Sequence, residues 1–395
     1  LYAGTERGVW MSFDDGENWQ PLQLNLPVVP IHDLMVQARE KDLVVATHGR
    51  SFWVLDDLTP LYQLSDAVAK APMHLFQPRL TYRMRGGGFG GGGGGRASIG
   101  RNPASGAVVF YYFKDKPKED VKLDFLDSKG KLMRSFSSRV ERREGDQSQQ
   151  QQDPGEEGFF GGGGGPPRLP ADSGMNRFTW NLRSSDATAV PGAIFWAGNV
   201  QGPIVVPGMY VARLVVGKDT VKQSFEVKFD PRVETPQAEL QEQFDLLMKV
   251  REKLSATHEA INNIRDIKKQ TEDVAKRAEN HPSKATIADA SKKLNQKLSA
   301  VEEELIQVKI KSNQDALNYP IKLNNKLAAL AGTVGSADTR PTKQEYDVFA
   351  DLSLKVDFQL AKLKDIVASE LPAFNKLVKE QDIPAVILKT EKKGM

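Results

Sequence analysis

The apolar residues of this 395-residue chain change period near Asp230, and that break constrains its fold more than any other feature. Before it, β-branched and aromatic runs such as Leu43-Val44-Val45-Ala46-Thr47 and Phe52-Trp53-Val54-Leu55 alternate with Gly- and Asp-containing turns, the signature of short strands. After it, apolar residues recur at threes, fours and sevens, the signature of amphipathic helices. A chain patterned this way needs at least one β-rich body and one helical body. At ~150 residues per domain its length allows two to three domains.

Composition removes several kinds of function. There is no cysteine, hence no disulfide, thiolate metal site or cysteine nucleophile. Lys+Arg 54 against Asp+Glu 51 leaves a net +3, too balanced for a nucleic-acid footprint. No apolar run nears the ~18 residues of a membrane span. Arg83-Met84-Arg85, followed by glycines, Phe89 and Arg96, mimics a nucleic-acid-binding RGG stretch. With three arginines it reads instead as a flexible connector. No phosphate loop or nucleophile elbow is present, and the residues imply no cofactor and no metal.

Residues 1–75 carry two similar stretches, "LYAGTERGVWMSFDDG" and "LVVATHGRSFWVLDDL", each running strand, Gly-containing turn, strand, Asp-Asp. Their spacing of about 43 residues is the blade period of a β-propeller. Residues 76–106 read as a Gly-rich linker. Residues 107–232 read as a β-sandwich of Ig-like or fibronectin type. It is interrupted by a disordered insertion at 142–172, which holds the Gln149–Gln152 tract, and by a long loop at 183–207 bearing Phe195 and Trp196. Residues 233–395 read as an antiparallel helical bundle. Thr235 is the expected N-cap of its first helix with Pro236 in the first turn, and Leu240, Phe244, Leu247, Leu254, Ile261 and Ile264 form the stripe. A second helix is expected over 283–317, with Val308 on its inner face. A short third helix lies between Pro320 and Gly332. Thr342 and Glu345 form a capping box opening a helix with Tyr346 to Val367 inward, which Pro372 ends or kinks. The lysine pairs Lys268-Lys269 and Lys292-Lys293 read as solvated helix faces.

The sharpest motif is Ser12-Phe13-Asp14-Asp15-Gly16-Glu17-Asn18-Trp19, which fits S-x-D-x-G-x-x-W, the Asp-box. The Ser12 and Asp14 side chains can bond the turn's own amides, Gly16 permits a positive φ, and Trp19 can fold back as an anchor. A sugar or metal site at Asp14–Asp15 is the functional reading, and a hairpin staple the structural one. Among other candidates, Asp56 and Asp57 follow a strand and are the best acid pair, with a strand-end cap as the structural alternative. Arg7, Arg39 and Arg50 are scattered singly, and Asp33 lies beside a turn. His32 and His48 are too far apart for a local metal signature, and His48-Gly49-Arg50 reads as a hairpin.

The segment "LVVATHGRSFWVLDDLTPL" after the Asp-box resembles the last blade of large secreted bacterial proteins with BNR/Asp-box repeats, labelled sortilin-like or glycosyl hydrolase propellers. "GAVVFYYFKDKPKEDVKLDFLDSKGKLMRSFSS" is similar to the Ig-like module that follows such propellers, and the resemblance continues through "PGMYVARLVVG" and "FEVKFDPR" into the helical tail. It implies a secreted, periplasmic or envelope location, with upstream propeller blades as partners together with a protein, peptide or carbohydrate. The opening at Leu1, inside a strand-like segment without initiator Met or signal peptide, fits the C-terminal part of a longer protein. Three functions stay open: a non-catalytic structural or partner-binding portion, part of a carbohydrate-active enzyme with its catalytic residues upstream, and a sortilin-like peptide-binding propeller.

Overall fold

A computed structural model describes residues 1–84, 104–139 and 167–383. The glycine runs, the Gln tract, Arg85, Phe89 and Arg96 fall outside these residues. The described residues divide into two compact units. One holds the β-strands (1–84, 104–139, 167–182 and 207–231), and the other holds residues 183–206 and 232–383.

The β-rich unit opens with two antiparallel three-stranded meanders. The first is β1 (Tyr2–Thr5), β2 (Gly8–Met11) and β3 (Gln20–Pro21), and the second is β4 (Ile31–Gln37), β5 (Asp42–Thr47) and β6 (Phe52–Leu55). Alternation places Val9, Ile31, Leu43 and Val45 in a shared core closed by Leu58. Two short helices follow, α1 (Thr59–Tyr62) and α2 (Asp66–Lys70), the latter capped by Ser65. Then come β7 (Met73–Leu75), β8 (Thr81–Arg83), β9 (Ala107–Phe113), β10 (Val121–Asp127), β11 (Leu132–Ser137), β12 (Gly174–Trp180), β13 (Gly208–Val216) and β14 (Asp219–Phe229). These eight strands form a sheet ordered β11-β10-β13-β14-β8 and another ordered β12-β9-β7. Aromatic rings from the two sheets meet in one core. Phe125 of β10 stacks on Trp180 of β12 at 4.4 Å, and Phe136 of β11 packs on Phe178 of β12 at 4.6 Å.

Several expected boundaries move. Residues 76–84 are not linker, because Phe76 is buried and its amide bonds Phe110 O, while β8 pairs in parallel with β14 and buries Arg83. Adjacent glycines drew the sequence reading away from an apolar and β-branched segment. At 167–172, inside the expected insertion, Leu169 is buried, its amide bonds Ser137 O, and the Tyr111 hydroxyl donates to Pro170 O at 2.6 Å. The 183–206 stretch groups with the helices rather than with the strands that flank it.

The second unit contains α3 (Gln237–Arg277), α4 (Lys284–Leu305), a 3-10 turn at Asn313–Leu317, α5 (Leu323–Val334) and α6 (Lys343–Glu380). Ion pairs and polar contacts give the helix directions. Arg265 to Glu302 and Thr271 to Asn295 run α3 and α4 antiparallel. Lys297 to Glu370 and Ser283 to Gln381 do the same for α4 and α6. Glu242 to Arg340 and Lys253 to Asp357 set α6 parallel to α3. No helix among the described residues is long and apolar enough to cross a membrane.

The helix limits also correct the pattern. Pro236, not Thr235, occupies the N-cap position of α3, and the Thr235 hydroxyl donates instead to Asp338 O. The second helix stops at Leu305, where Ile306 turns extended, so Val308 lies beyond it and is exposed. Gly332 lies inside α5, and Pro372 lies inside α6, which continues to Glu380. The Thr342–Glu345 capping box is present, with Thr342 N donating to Glu345 Oε2 at 2.7 Å. Leu352, Val356 and Leu363 are buried on α6, but Tyr346 and Val367 are 38% exposed.

Candidate functional site

The Ser12–Trp19 turn joins β2 to β3 and spends its polar groups on itself. Ser12 Oγ donates to Asp14 Oδ1 at 2.8 Å and accepts from Gly16 N at 2.8 Å. Asp14 Oδ1 accepts from Asn18 N at 2.8 Å, and Oδ2 accepts from Asn18 Nδ2 at 2.7 Å. The two bonds from Asn18, followed by that from Ser12, hold the Asp14 carboxyl down at about 2. Trp19 Nε1 donates back to Gly16 O at 3.0 Å. Asp15 and Gly16 both take positive φ, 56° and 99°, so the tight reversal needs Gly at the second position. This carboxylate's oxygens are bonded to the turn itself.

The β5–β6 hairpin repeats part of this device. Gly49 (φ 75°) and Ser51 (φ 66°) turn the chain, the Thr47 hydroxyl donates to Ser51 O at 2.6 Å, and Trp53 Nε1 donates to Arg50 O at 2.9 Å. Both tryptophans thus reach the carbonyl three residues before them. In the first hairpin the Thr5 hydroxyl donates to Gly8 O at 2.9 Å, matching Thr47.

Asp56 and Asp57 sit at the end of β6. There they join two residues that the sequence did not connect with them, Asp42 at the start of β5 and Arg79 in the segment expected as linker. Asp57 N donates to Asp42 Oδ1 at 2.9 Å, Asp57 Oδ1 accepts from Thr59 N at 3.0 Å, and Asp57 takes φ 64°. Arg79 Nη1 reaches Glu40 O at 3.1 Å and Asp42 Oδ1 at 3.4 Å, and Arg79 Nε lies 3.9 Å from Asp57 Oδ2. Asp57 is therefore a strand-end cap clamped by an arginine. Burial, and then the Asp42 charge, push the Asp56 carboxyl up, against the pull of Arg79 and Arg177. A raised carboxyl is the direction a general acid needs.

His32 and His48, distant in sequence, come together. Pairing of β4 with β5 and the irregularity between Ile31 and Asp33 bring their exposed rings to 4.8 Å, tilted by 50°. Among the described residues no three or more His, Asp or Glu side chains are placed to hold a metal. The arginines do not converge here. Arg39 pairs with its neighbour Glu40 at 2.8 Å, and Arg50 offers its carbonyl to Trp53.

No family model matches this chain. No curated protein matches it either. A solved structure titled pT26-6p is similar over 70% of this chain and 46% of that one, at 15% identity and a TM-score of 0.14, too low to carry any argument about fold. The chain therefore spans less than half the length of that protein.

Proposed function

We propose that this chain is a non-catalytic portion of a secreted or envelope propeller protein, the C-terminal part in which the two meanders are blades and the packed β-sheets an Ig-like module. Its role is structural or partner-binding. One observation carries this reading: the second carboxylate that glycosidic chemistry would need beside Asp56 is committed, Asp57 to Thr59 and Arg79, and Asp14 is likewise committed to Asn18 and Ser12. Retaining and inverting hydrolysis each need two carboxyl groups facing one sugar, about 5–9.5 Å apart. The partner-binding side is supported by the outer face of the second meander, where Met35, Phe52 and Val54 are 63%, 75% and 55% exposed. An apolar sheet face of this kind suits further blades or a protein partner.

The test is incubation with aryl glycosides, sialosides included, beside an Asp56→Ala/Asp57→Ala double variant. No turnover is expected from either protein. Turnover in the parent that disappears in a folded double variant overturns the non-catalytic reading in favour of the carbohydrate-active one.

A further inference from the structure

The pairing of β4 with β5 brings together two histidines that lie far apart in the sequence. A strand alternates sides residue by residue, but the register slips between Ile31 and Asp33, so His32 is an extra residue on β4. Such bulges re-aim a side chain. The His32 ring meets that of His48, which follows the last residue of β5 and precedes the turn at Gly49.

Neither ring is engaged elsewhere. Both are exposed, and among the described residues neither side chain makes a hydrogen bond or an ion pair, the one ring contact of each being with the other. The three other histidines are occupied: His258 bonds Thr188 O, His281 accepts from Ser283 N at 3.2 Å, and His74 packs edge-on against Phe76. The geometry is not that of ring stacking either. Aromatic pairs prefer offset-parallel or edge-to-face rings, and these two are tilted by 50°.

The separation is that of two ligands on one ion. A metal–nitrogen bond of about 2.0–2.1 Å sets a ring centroid about 3.2 Å from the ion, so two imidazoles about 90–110° apart around it stand about 4.5–5.2 Å from each other. The His32 and His48 centroids are 4.8 Å apart. Being exposed and unbonded, both rings are free to turn a nitrogen toward the shared point. No third His, Asp or Glu joins them in a metal-holding group among the described residues, so water completes the shell. Structural zinc sites close with four protein ligands, whereas two donors hold an ion exchangeably.

We propose that His32 and His48 form an exposed two-histidine clip for a late first-row divalent cation. Imidazole suits Cu(II), Ni(II) and Zn(II), whereas Mg(II) and Ca(II) take oxygen ligands. The clip requires neither catalysis nor further blades, so it stands apart from the function proposed above.

NMR on the full chain with labelled histidine tests this, its five imidazoles assigned from His→Gln variants and nickel, zinc and magnesium chlorides used as probes. Substoichiometric Ni(II) should broaden His32 and His48 before His74, His258 and His281. Zn(II) should shift the same two resonances saturably with a dissociation constant on the order of 10–100 μM, and Mg(II) should leave them unchanged at about 5 mM. Losing a group that only orients a ligand weakens a metal site about 10–100-fold, so His32→Gln and His48→Gln should each weaken Zn(II) at least about tenfold. Both side chains are exposed and unbonded, so both variants should keep the parent's circular dichroism. The proposal falls if Zn(II) shows no saturation by about 1 mM, if Ni(II) broadens His74 or His281 first, if Mg(II) shifts the pair, or if either folded variant binds Zn(II) as tightly as the parent.

Discussion

Gln243 is a polar side chain in the middle of the helical core, 2% exposed, and its replacement by Met tests how α5 is terminated. Its Nε2 donates to Val334 O at 2.8 Å and to Ala337 O at 2.6 Å. The end of α5 needs this help. Ser336, the residue after its C-cap Gly335, does not take positive φ, so the left-handed ending common at helix C-termini is not formed. Methionine has nearly the same length and volume and keeps the packing, but it donates nothing. Two neutral hydrogen bonds contribute about 1 kcal/mol each, and leaving a buried carbonyl unbonded costs about 1–3 kcal/mol, so Gln243→Met should cost about 2–4 kcal/mol. In urea unfolding followed at 222 nm, with a slope of about 1–3 kcal/mol per M, the midpoint of the helical transition should fall by about 1–2 M. Gln243→Glu, whose carboxylate cannot donate, should cost at least as much. A loss under about 0.5 kcal/mol for Gln243→Met, the size of an ordinary surface change, would refute the assignment of these bonds as the cap of α5.

Burial, reinforced by the Arg265 charge and opposed by the bond to Thr188 O, holds His258 below its ordinary range. The unfolded chain then takes up that proton first, so the helical unit should be most stable above about pH 6.5 and lose stability as pH falls from there toward the folded-state value. Urea midpoints between pH 7.5 and 5 should show this decline and a shallower one in His258→Gln, and equal slopes in the two proteins would sink the account. Gly198 has φ 74°, and a Cβ there would lie 2.1 Å from Ala328 O, so Gly198→Ala should cost about 2 kcal/mol or more by prising residues 196–200 from α5. Hydrogen exchange should then rise at Trp196, whose amide donates to Asn325 Oδ1 at 2.9 Å, and unchanged protection there would contradict the close approach.

Features held by contacts within four residues were legible in the sequence. The Ser12–Trp19 turn closes through bonds between residues two to four apart, and the Thr342–Glu345 box through bonds three apart. The change from strand to helix near Asp230 is a matter of period, which any window of a dozen residues displays. The pairing of polar residues was not legible in this way. Asp57 meets Asp42 across 15 positions and Arg79 meets Asp42 across 37, while Asn325 holds the backbone of Ala197 across 128.

Residues 183–206 show the difference most plainly. In sequence they are a run without helical or strand period, and a loop between two strands was the natural reading. In the fold their carbonyls are satisfied by side chains of the helical unit: Ser185 by Arg251, Thr188 by His258, Ala189 by Asn262, and Ala197 by Asn325. Arg251, His258 and Asn262 lie on α3 at intervals of seven and four, positions that share one helix face. As sequence they pass for ordinary polar residues of an amphipathic helix. Local pattern reports which backbone shape each segment prefers, because that preference is settled by near neighbours. Which buried amide meets which distant carbonyl is settled only when the helices pack, because closing such long loops costs entropy that the assembled core alone offsets.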